Sequence, residues 1–426
     1  MGYYQDNHLK FLQELYDKYR DGDKPWVKIA DEFNKKFKPP KNKTPENLRA
    51  TYTYYQGIDL SDGDAFINKI RQNHNTNRKA NRIAKENRSI LDYLDKIEEV
   101  ETRLQELIKS IDFKLHPPVK HKKKSTPAPR TLIAHMSDTH YGTNIDKGEL
   151  AGLNEYNNTI AARRTAYFMK QVGDYKIDHR NDTDLVLVLN GDLAAGVIHN
   201  QEGHVDLMTT QFATLLSILG QGISYISQRF NNVTVVCNTG NHMRVMHKAD
   251  KGRATVQKWD SFATMAYVAL QREFKSKYTN VKFIIPESPF AIFEAQGHKI
   301  FATHGDTVFD VGNPGKVLKL EDIRKQINEI NNSDLTSEDK IKIFLVGHVH
   351  TSVYTLMDNG VYVAINGCLS GLDQFANAIK IFGNNPSQQI LEVTKDHIGD
   401  FRLVTVKEAD NDSSLDKIIQ PFEGKF

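Results

Sequence analysis

The chain has 426 residues, 39% of them hydrophobic and 26% charged, with a formal net charge of +3. That length supports two or three domains with at least one large core, and no apolar run approaches the ~18 residues a membrane-spanning helix needs, so no membrane partner is expected. Two cysteines, Cys237 and Cys368, exclude a disulfide framework.

The charge is unevenly spread. Residues 1–130 hold 27 Lys and Arg against 19 Asp and Glu, and the remainder holds 29 against 34. A basic front suits a polyanionic partner or only a soluble surface, and an acidic back suits a site that collects cations. The N-terminus lacks a signal-peptide apolar core, and Asp6 stands where a myristoylation signal has Ser or Thr. Both cysteines lie in apolar, strand-like contexts and read as small core residues of a reducing compartment.

Residues 1–58 read as three short helices. "HLKFLQELYDKYR" is the first; "PWVKIADEFNKKF" is the second, with Trp26, Ile29, Ala30 and Phe33 at helical spacing. The third begins at "TPENLRATYTYY", where Thr44 caps, Pro45 fits the first turn and Glu46 suits the positive end of the helix dipole. The basic stretch "KKFKPPKNK" separates the last two. Three helices around an aromatic core resemble a helix-turn-helix module of the Myb or winged-helix kind. That likeness would have the third helix read DNA through Arg49, Asn47 and Tyr52. Small three-helix units also serve as protein-docking domains.

Residues 63–113 read as a long polar helix. From Ile83 a 4-3 spacing runs through Asn87, Ile90, Leu94, Ile97, Glu101, Leu104, Ile108 and Ile111, the period of a coiled coil and of a homodimer through residues 83–111. Leu91, Val100 and Leu107 widen the stripe, which equally suits packing on the protein's own body. Residues 114–130, rich in Pro and Lys, read as a basic linker without helix or core.

From Thr131 to the end, residues 131–426, strands alternate with helices. Five apolar runs each end in polar residues of metal-binding type: "TLIAHMSDTH", "LVLVLNGD", "VTVVCNTGNH", "KIFATHGD" and "IKIFLVGHVH". Alternating strands and helices predict an α/β sheet with these ends gathered at its C-terminal edge. Asp, Asn and His without thiolate suit Mn²⁺, Fe²⁺ or Zn²⁺. Seven side chains hold two ions if one carboxylate bridges, and two such ions activate a water and clamp a phosphoryl group.

Asp138-x-His140, Gly191-Asp192, Gly240-Asn241-His242, His304 and Gly347-His348-x-His350 match, in order, the motifs of calcineurin-like metallophosphoesterases. The resemblance covers roughly Thr131 to Val406. It implies a four-layer αββα sandwich of two mixed sheets, here preceded by an all-α region, and two divalent ions, Mn preferred with Fe or Zn as alternatives. By resemblance, Asp138, His140 and His350 would bind the first ion; Asn241, His304 and His348 the second; and Asp192 both. His242 would face the scissile phosphate and protonate the leaving oxygen or stabilise the transition state.

Met243 departs from the pattern, in which an acid follows the His and fixes its tautomer. A carbonyl or a distant carboxylate is expected to replace it, or His242 to be a less basic donor. Arg244 is a candidate phosphate fork. Asn190 could orient ligands, and Asp306 could accept the His304 N–H. His199 and His204 read as surface residues, and Arg163 and Arg164 as a solvated helix face.

The motifs fix the chemistry and leave the ester open. The basic, helical front favours a phosphodiester of DNA, resembling the repair nucleases of the family. The alternative is a phosphatase or phosphodiesterase acting on nucleotides or phosphoproteins, with the front as a docking module. A cytoplasmic, bacterial or phage setting is expected from the missing signals and the resemblance.

Overall fold

The computed structural model describes residues 6–56, 102, 106, 108–120, 128–175, 183–196, 205–244, 258–309, 320–333, 340–372 and 385–422. The chain divides into two compact units, Met1–Thr102 and Arg103–Phe426. Most of the expected long helix, and with it most of the coiled-coil seam, lies outside the described residues, as do His199 and His204.

The first unit contains α1 (Asp6–Tyr19), α2 (Pro25–Phe37) and α3 (Pro45–Tyr55). Their apolar faces meet in one core of Leu12, Leu15, Ile29, Ala30, Phe33, Leu48 and Tyr52, rimmed by Trp26 and Phe37. The Thr44 side chain caps α3 by accepting from the Asn47 N–H at 3.2 Å, as the sequence predicts. Tyr52 is not on the outer face expected of a DNA-reading residue. It is buried, stacked on Tyr16 with ring centroids 4.1 Å apart, because an aromatic one turn after Leu48 falls on the inner face of α3. Asn47 and Arg49 are exposed.

The second unit is built on two sheets. The first holds β1 (Arg130–Met136), β2 (Thr183–Asn190), β3 (Val233–Asn238), β4 (Val281–Ile284), β10 (Ser387–Thr394) and β11 (Ile398–Thr405), in the order β11-β10-β1-β2-β3-β4. Strands β1 to β4 run parallel, with β10 and β11 antiparallel at one edge. The second sheet holds β5 (Phe290–Ala295), β6 (His298–Thr303), β7 (Ile341–Val346), β8 (Val353–Leu356) and β9 (Tyr362–Ile365), in the order β5-β6-β7-β9-β8. Helices α4 (Asn158–Gly173), α5 (Met208–Ser227) and α6 (Phe262–Lys277) connect strands of the first sheet, and α7 (Leu320–Asn332) precedes β7.

Alternation along each strand sorts the side chains into layers. Leu185, Leu187 and Leu189 of β2 face the helices, whereas Val186 and Val188 face the second sheet. A third cluster joins Phe344 and Val346 of β7 to Ile323 and Ile327 of α7. The three clusters are the seams of the expected αββα sandwich.

The end of the stretch read as a long helix and the start of the expected linker form one extended strap on this body, the helix stopping at Ser110 rather than at 113. Ile111 and Phe113 are buried in the helix-side core and Ile108 packs against it. The His116 N–H donates to Ser224 Oγ at 3.0 Å, and the Tyr278 hydroxyl donates to the His116 carbonyl. Composition misled here: prolines forbid a helix, yet an extended strap buries its apolar residues just as well. The last two seam positions, Ile108 and Ile111, are therefore used within the chain.

Arg164, expected on a solvated face, is fully buried. It pairs with both carboxylate oxygens of Asp410 at 2.6 and 2.8 Å and donates to the Leu369 and Ser370 carbonyls. Its neighbour Arg163 pairs with Asp416. Removing one partner of a buried pair strands the other charge. Arg164→Met should therefore destabilise the second unit by about 3–5 kcal/mol in urea denaturation, and Arg164→Met/Asp410→Leu should recover part of that loss.

Candidate metal centre

Six parallel strands end at one edge of the sandwich: β1 at Met136, β2 at Asn190, β3 at Asn238, β6 at Thr303, β7 at Val346 and β9 at Ile365. The predicted residues occupy the turns just beyond. Three groups of donors converge there, Asp138/His140/His350, His140/Asp192/His242 and Asp192/His304/His348, with ligand atoms in each within 4.8 Å of one another. Asn241 joins the last, its Oδ1 3.2 Å from His304 Nε2. All seven expected ligands and His242 thus meet at one edge.

The turns are conformationally costly. Asp138, His140, Asp192, His348 and His350 all have positive φ, between 48° and 71°. Such backbone disfavours any side chain beyond glycine by about 1 kcal/mol or more, and it concentrates at functional sites. Cross-loop hydrogen bonds hold it: the Asp138 N–H to the Gly191 carbonyl, and the His140 N–H to the Asp192 carbonyl. Glycine is required at 240, where a Cβ would overlap the Asp192 carboxylate.

The donor set fits cations. His304 Nδ1 meets the Asn190 carbonyl at 3.0 Å, so Nδ1 carries the proton and Nε2 is an acceptor in the neutral ring. That Nε2 lies 2.9 Å from Asp192 Oδ2 and 3.2 Å from Asn241 Oδ1. Three acceptors at zero or low exposure repel unless a cation lies among them. A proton meets the same need: burial lowers the His304 pKa, but Asp192 and Asp138 lift it to about 9. Around the other group, His140 Nε2 and His350 Nε2 are 3.1 Å apart and His350 Nε2 is 3.4 Å from Asp138 Oδ1. Such spacings suit atoms sharing one ion at about 2.1 Å each. Burial would raise Asp192, but His304 and His242 hold it well below the usual carboxylate range.

His242 stands between the groups, its ring 4.6 Å from that of His140 and its Nε2 3.8 Å from Asp192 Oδ2. Its backbone N–H donates to Asp192 Oδ1 at 2.9 Å. The missing acid is replaced by a carbonyl: His242 Nδ1 lies 2.7 Å from the Ala195 oxygen. That contact assigns the Nδ1 proton and aims Nε2 into the site. Met243 faces the opposite way, into the helix-side core.

Other expectations shift. Asp306 pairs with the buried Lys258 rather than with His304, whose partner is the Asn190 carbonyl. Arg244 belongs to none of the donor groups; it bridges to Ser261 and its Nε is buried without a partner. Residues that sequence reasoning passed over surround the ligands. Ser137 Oγ donates to Asp138 Oδ2 at 2.6 Å, and Asn366 Nδ2 donates to Ser137 Oγ at 3.2 Å. Their signal was a polar residue closing an apolar strand, as in "HMSD" and "AINGC".

The family model for calcineurin-like phosphoesterase matches residues 131–367. No curated protein matches the chain. Among solved structures, a dimetal phosphatase from Danio rerio is 9% identical, with 66% of this chain and 100% of that one covered and a TM-score of 0.31. A 5'-nucleotidase from Candida albicans is 14% identical, with 70% and 56% covered and a TM-score of 0.29. A Vps29 single mutant from Entamoeba histolytica is 12% identical, with 64% and 98% covered and a TM-score of 0.28.

Because Met243 lies in the core, an acid there does not reach His242. Met243→Asp should lower stability by about 3 kcal/mol or more through an unpaired buried carboxylate. Thermal denaturation of the metal-free protein checks this; an unchanged midpoint with altered turnover would place the side chain in the site instead.

Proposed function

The chain belongs to the calcineurin-like phosphoesterase family and is a metal-dependent phosphoesterase, and from that premise we propose that it hydrolyses phosphodiester links of DNA with two divalent ions, Mn²⁺ preferred. Asp138, His140 and His350 would hold one ion and Asn241, His304 and His348 the other, with Asp192 offered to both groups. The ions would supply a nucleophile at neutral pH and charge stabilisation at phosphorus.

The chain's own residues do the rest. Asp192 is fixed through Oδ1 by the His242 N–H, which leaves Oδ2 turned toward the ligands. His242, with its Nδ1 proton committed to the Ala195 carbonyl, presents Nε2 to the substrate and protonates the departing oxygen. Arg244, with its unpartnered Nε, is the proposed phosphate contact outside the ligand set.

The observation that carries the choice of DNA is the basic connection between α2 and α3. With Lys35 and Lys36 of the last turn of α2, its Lys38, Lys41 and Lys43 put five lysines within nine residues, the first four exposed, beside the exposed Asn47 and Arg49 of α3. Phosphate contacts of this kind give affinity that falls with salt.

Three measurements check the reading. Metal-free protein supplied with Mn²⁺ should cleave single- or double-stranded DNA as well as a bis-phosphate ester dye. Hydrolysis of the dye with every polymer, RNA included, left intact would exclude a nuclease in favour of a small-substrate phosphodiesterase. Asp192→Asn should abolish both activities and reduce bound metal. For the front unit, Lys38→Gln/Lys41→Gln should make the salt dependence of DNA binding shallower by about 2 in log–log slope, and an unchanged slope would remove these lysines from the interface.

A further inference from the structure

Beneath the ligands, the two sheets are joined by a layer of fully buried polar side chains that the chemistry above does not use. Asn366, just past β9, donates its Nδ2 to Gln388 Oε1 at 2.8 Å, to the His135 carbonyl at 3.1 Å and to Ser137 Oγ at 3.2 Å. Gln388 on β10 accepts the Ser137 N–H at 2.9 Å and donates to the Ser137 carbonyl at 3.2 Å. Ser137 Oγ in turn lies 2.6 Å from Asp138 Oδ2. Ser137, Asp138, Asn366 and Gln388 all have zero exposure.

The direction of each bond is fixed. The His135 carbonyl only accepts, so the Asn366 amide must turn its NH₂ this way. Asp138 Oδ2 likewise only accepts, so it takes the single Ser137 proton at 2.6 Å, and Ser137 Oγ accepts a share of the two Asn366 protons that serve three oxygens. The two oxygens of Asp138 become unequal. Oδ2 takes the Ser137 hydroxyl and, at 3.0 Å, the His348 N–H, which also reaches Oδ1 at 3.2 Å, and Oδ2 lies against Gly347, where a Cβ would come within 2.9 Å. Oδ1 is the oxygen 3.4 Å from His350 Nε2.

We infer that Ser137, oriented by Asn366 and Gln388, is a positioning residue that ties down Asp138 Oδ2 and leaves Oδ1 alone to meet the first metal ion. The inference rests on Asp138 being a ligand, as proposed above. A carboxylate so held enters the site in one rotamer, with no second oxygen to swing in. Losing such support to a metal ligand costs about 10–100-fold in metal affinity. The effect should be confined to one ion, because His304, the central ligand of the other group, is oriented independently by the Asn190 carbonyl.

The test is Mn²⁺ titration of the metal-free full chain by calorimetry, with electron paramagnetic resonance at two equivalents of Mn²⁺ and the melting temperature of the metal-free protein. Wild type should bind two ions with a spin-coupled spectrum. Ser137→Ala, which removes one oxygen and adds nothing, should melt within a few degrees of wild type, bind one ion as before and bind the other about 10-fold or more weakly. An uncoupled mononuclear signal should appear. Asn366→Asp has the shape of the original side chain but accepts the Ser137 proton, and should weaken the same ion. Two ions bound by Ser137→Ala as tightly as by wild type, or both ions lost along with the melting transition, would overturn the inference while leaving the metal-centre reading intact. A wild type that binds no ion pair would overturn both.

Discussion

The second unit is organised around acceptors that face one another. His304 Nε2, Asp192 Oδ2 and Asn241 Oδ1 converge within about one ligand-to-ligand spacing at a buried edge, and so do His140 Nε2, His350 Nε2 and Asp138 Oδ1. A fold does not assemble lone pairs against lone pairs without a cation or proton to hold them. The lift of His304 to about 9 by the two aspartates shows how strongly the arrangement favours positive charge. The family's two ions answer that requirement, and metal binding is thereby coupled to the stability of the edge.

Gathering these groups carries a second cost in backbone conformation, and the sandwich meets it by its topology. Five site residues in left-handed backbone follow strands buried on both faces, so each turn starts from a fixed strand end. The turns then bond to one another, as Leu369 N–H does to the Asp138 carbonyl and Gly347 N–H to the His304 carbonyl. Below them Asn238 donates across to the Ala302 carbonyl of the second sheet, and Asn190 to that of Leu345. Amides between sheets are stabilising only when placed in register. Here they fix the register of the two sheets where the ligands need it.

Much of this was legible because apolar strands ending in Asp, Asn and His carry both the fold and the ligand set in contiguous letters. "LVLVLNGD" states a buried parallel strand, a tight turn and a carboxylate at once. What was not legible depends on distant partners. Nothing near Arg164 in sequence says that Asp410 will neutralise it, so a buried arginine passed for a solvated one. Nothing near Met243 says that the Ala195 carbonyl will take the proton an acid usually takes. The strap at residues 111–117 was hidden differently: the seam spacing carried the expected helix through Ile111 and Phe113, and prolines and lysines gave the next residues a linker's composition, whereas burial of Ile111 and Phe113 sets the strap's place in the core. Tyr52 was misplaced by an argument from resemblance where helical spacing from Leu48 already pointed inward.

The chemistry of the site does not by itself choose among phosphate esters, for a physical reason. The site edge is a converged, desolvated set of acceptors, selective for cations and for a phosphoryl group bridging them, and it reads little beyond that group. Discrimination among phosphate esters must come from surface that can follow the rest of the substrate. Under the proposed reading that surface is the basic stretch around the end of α2, whose charge would suit a repeating polyanion. The net excess of base in residues 1–130 and of acid beyond them would then divide the chain between a polyanion and the cations of the site.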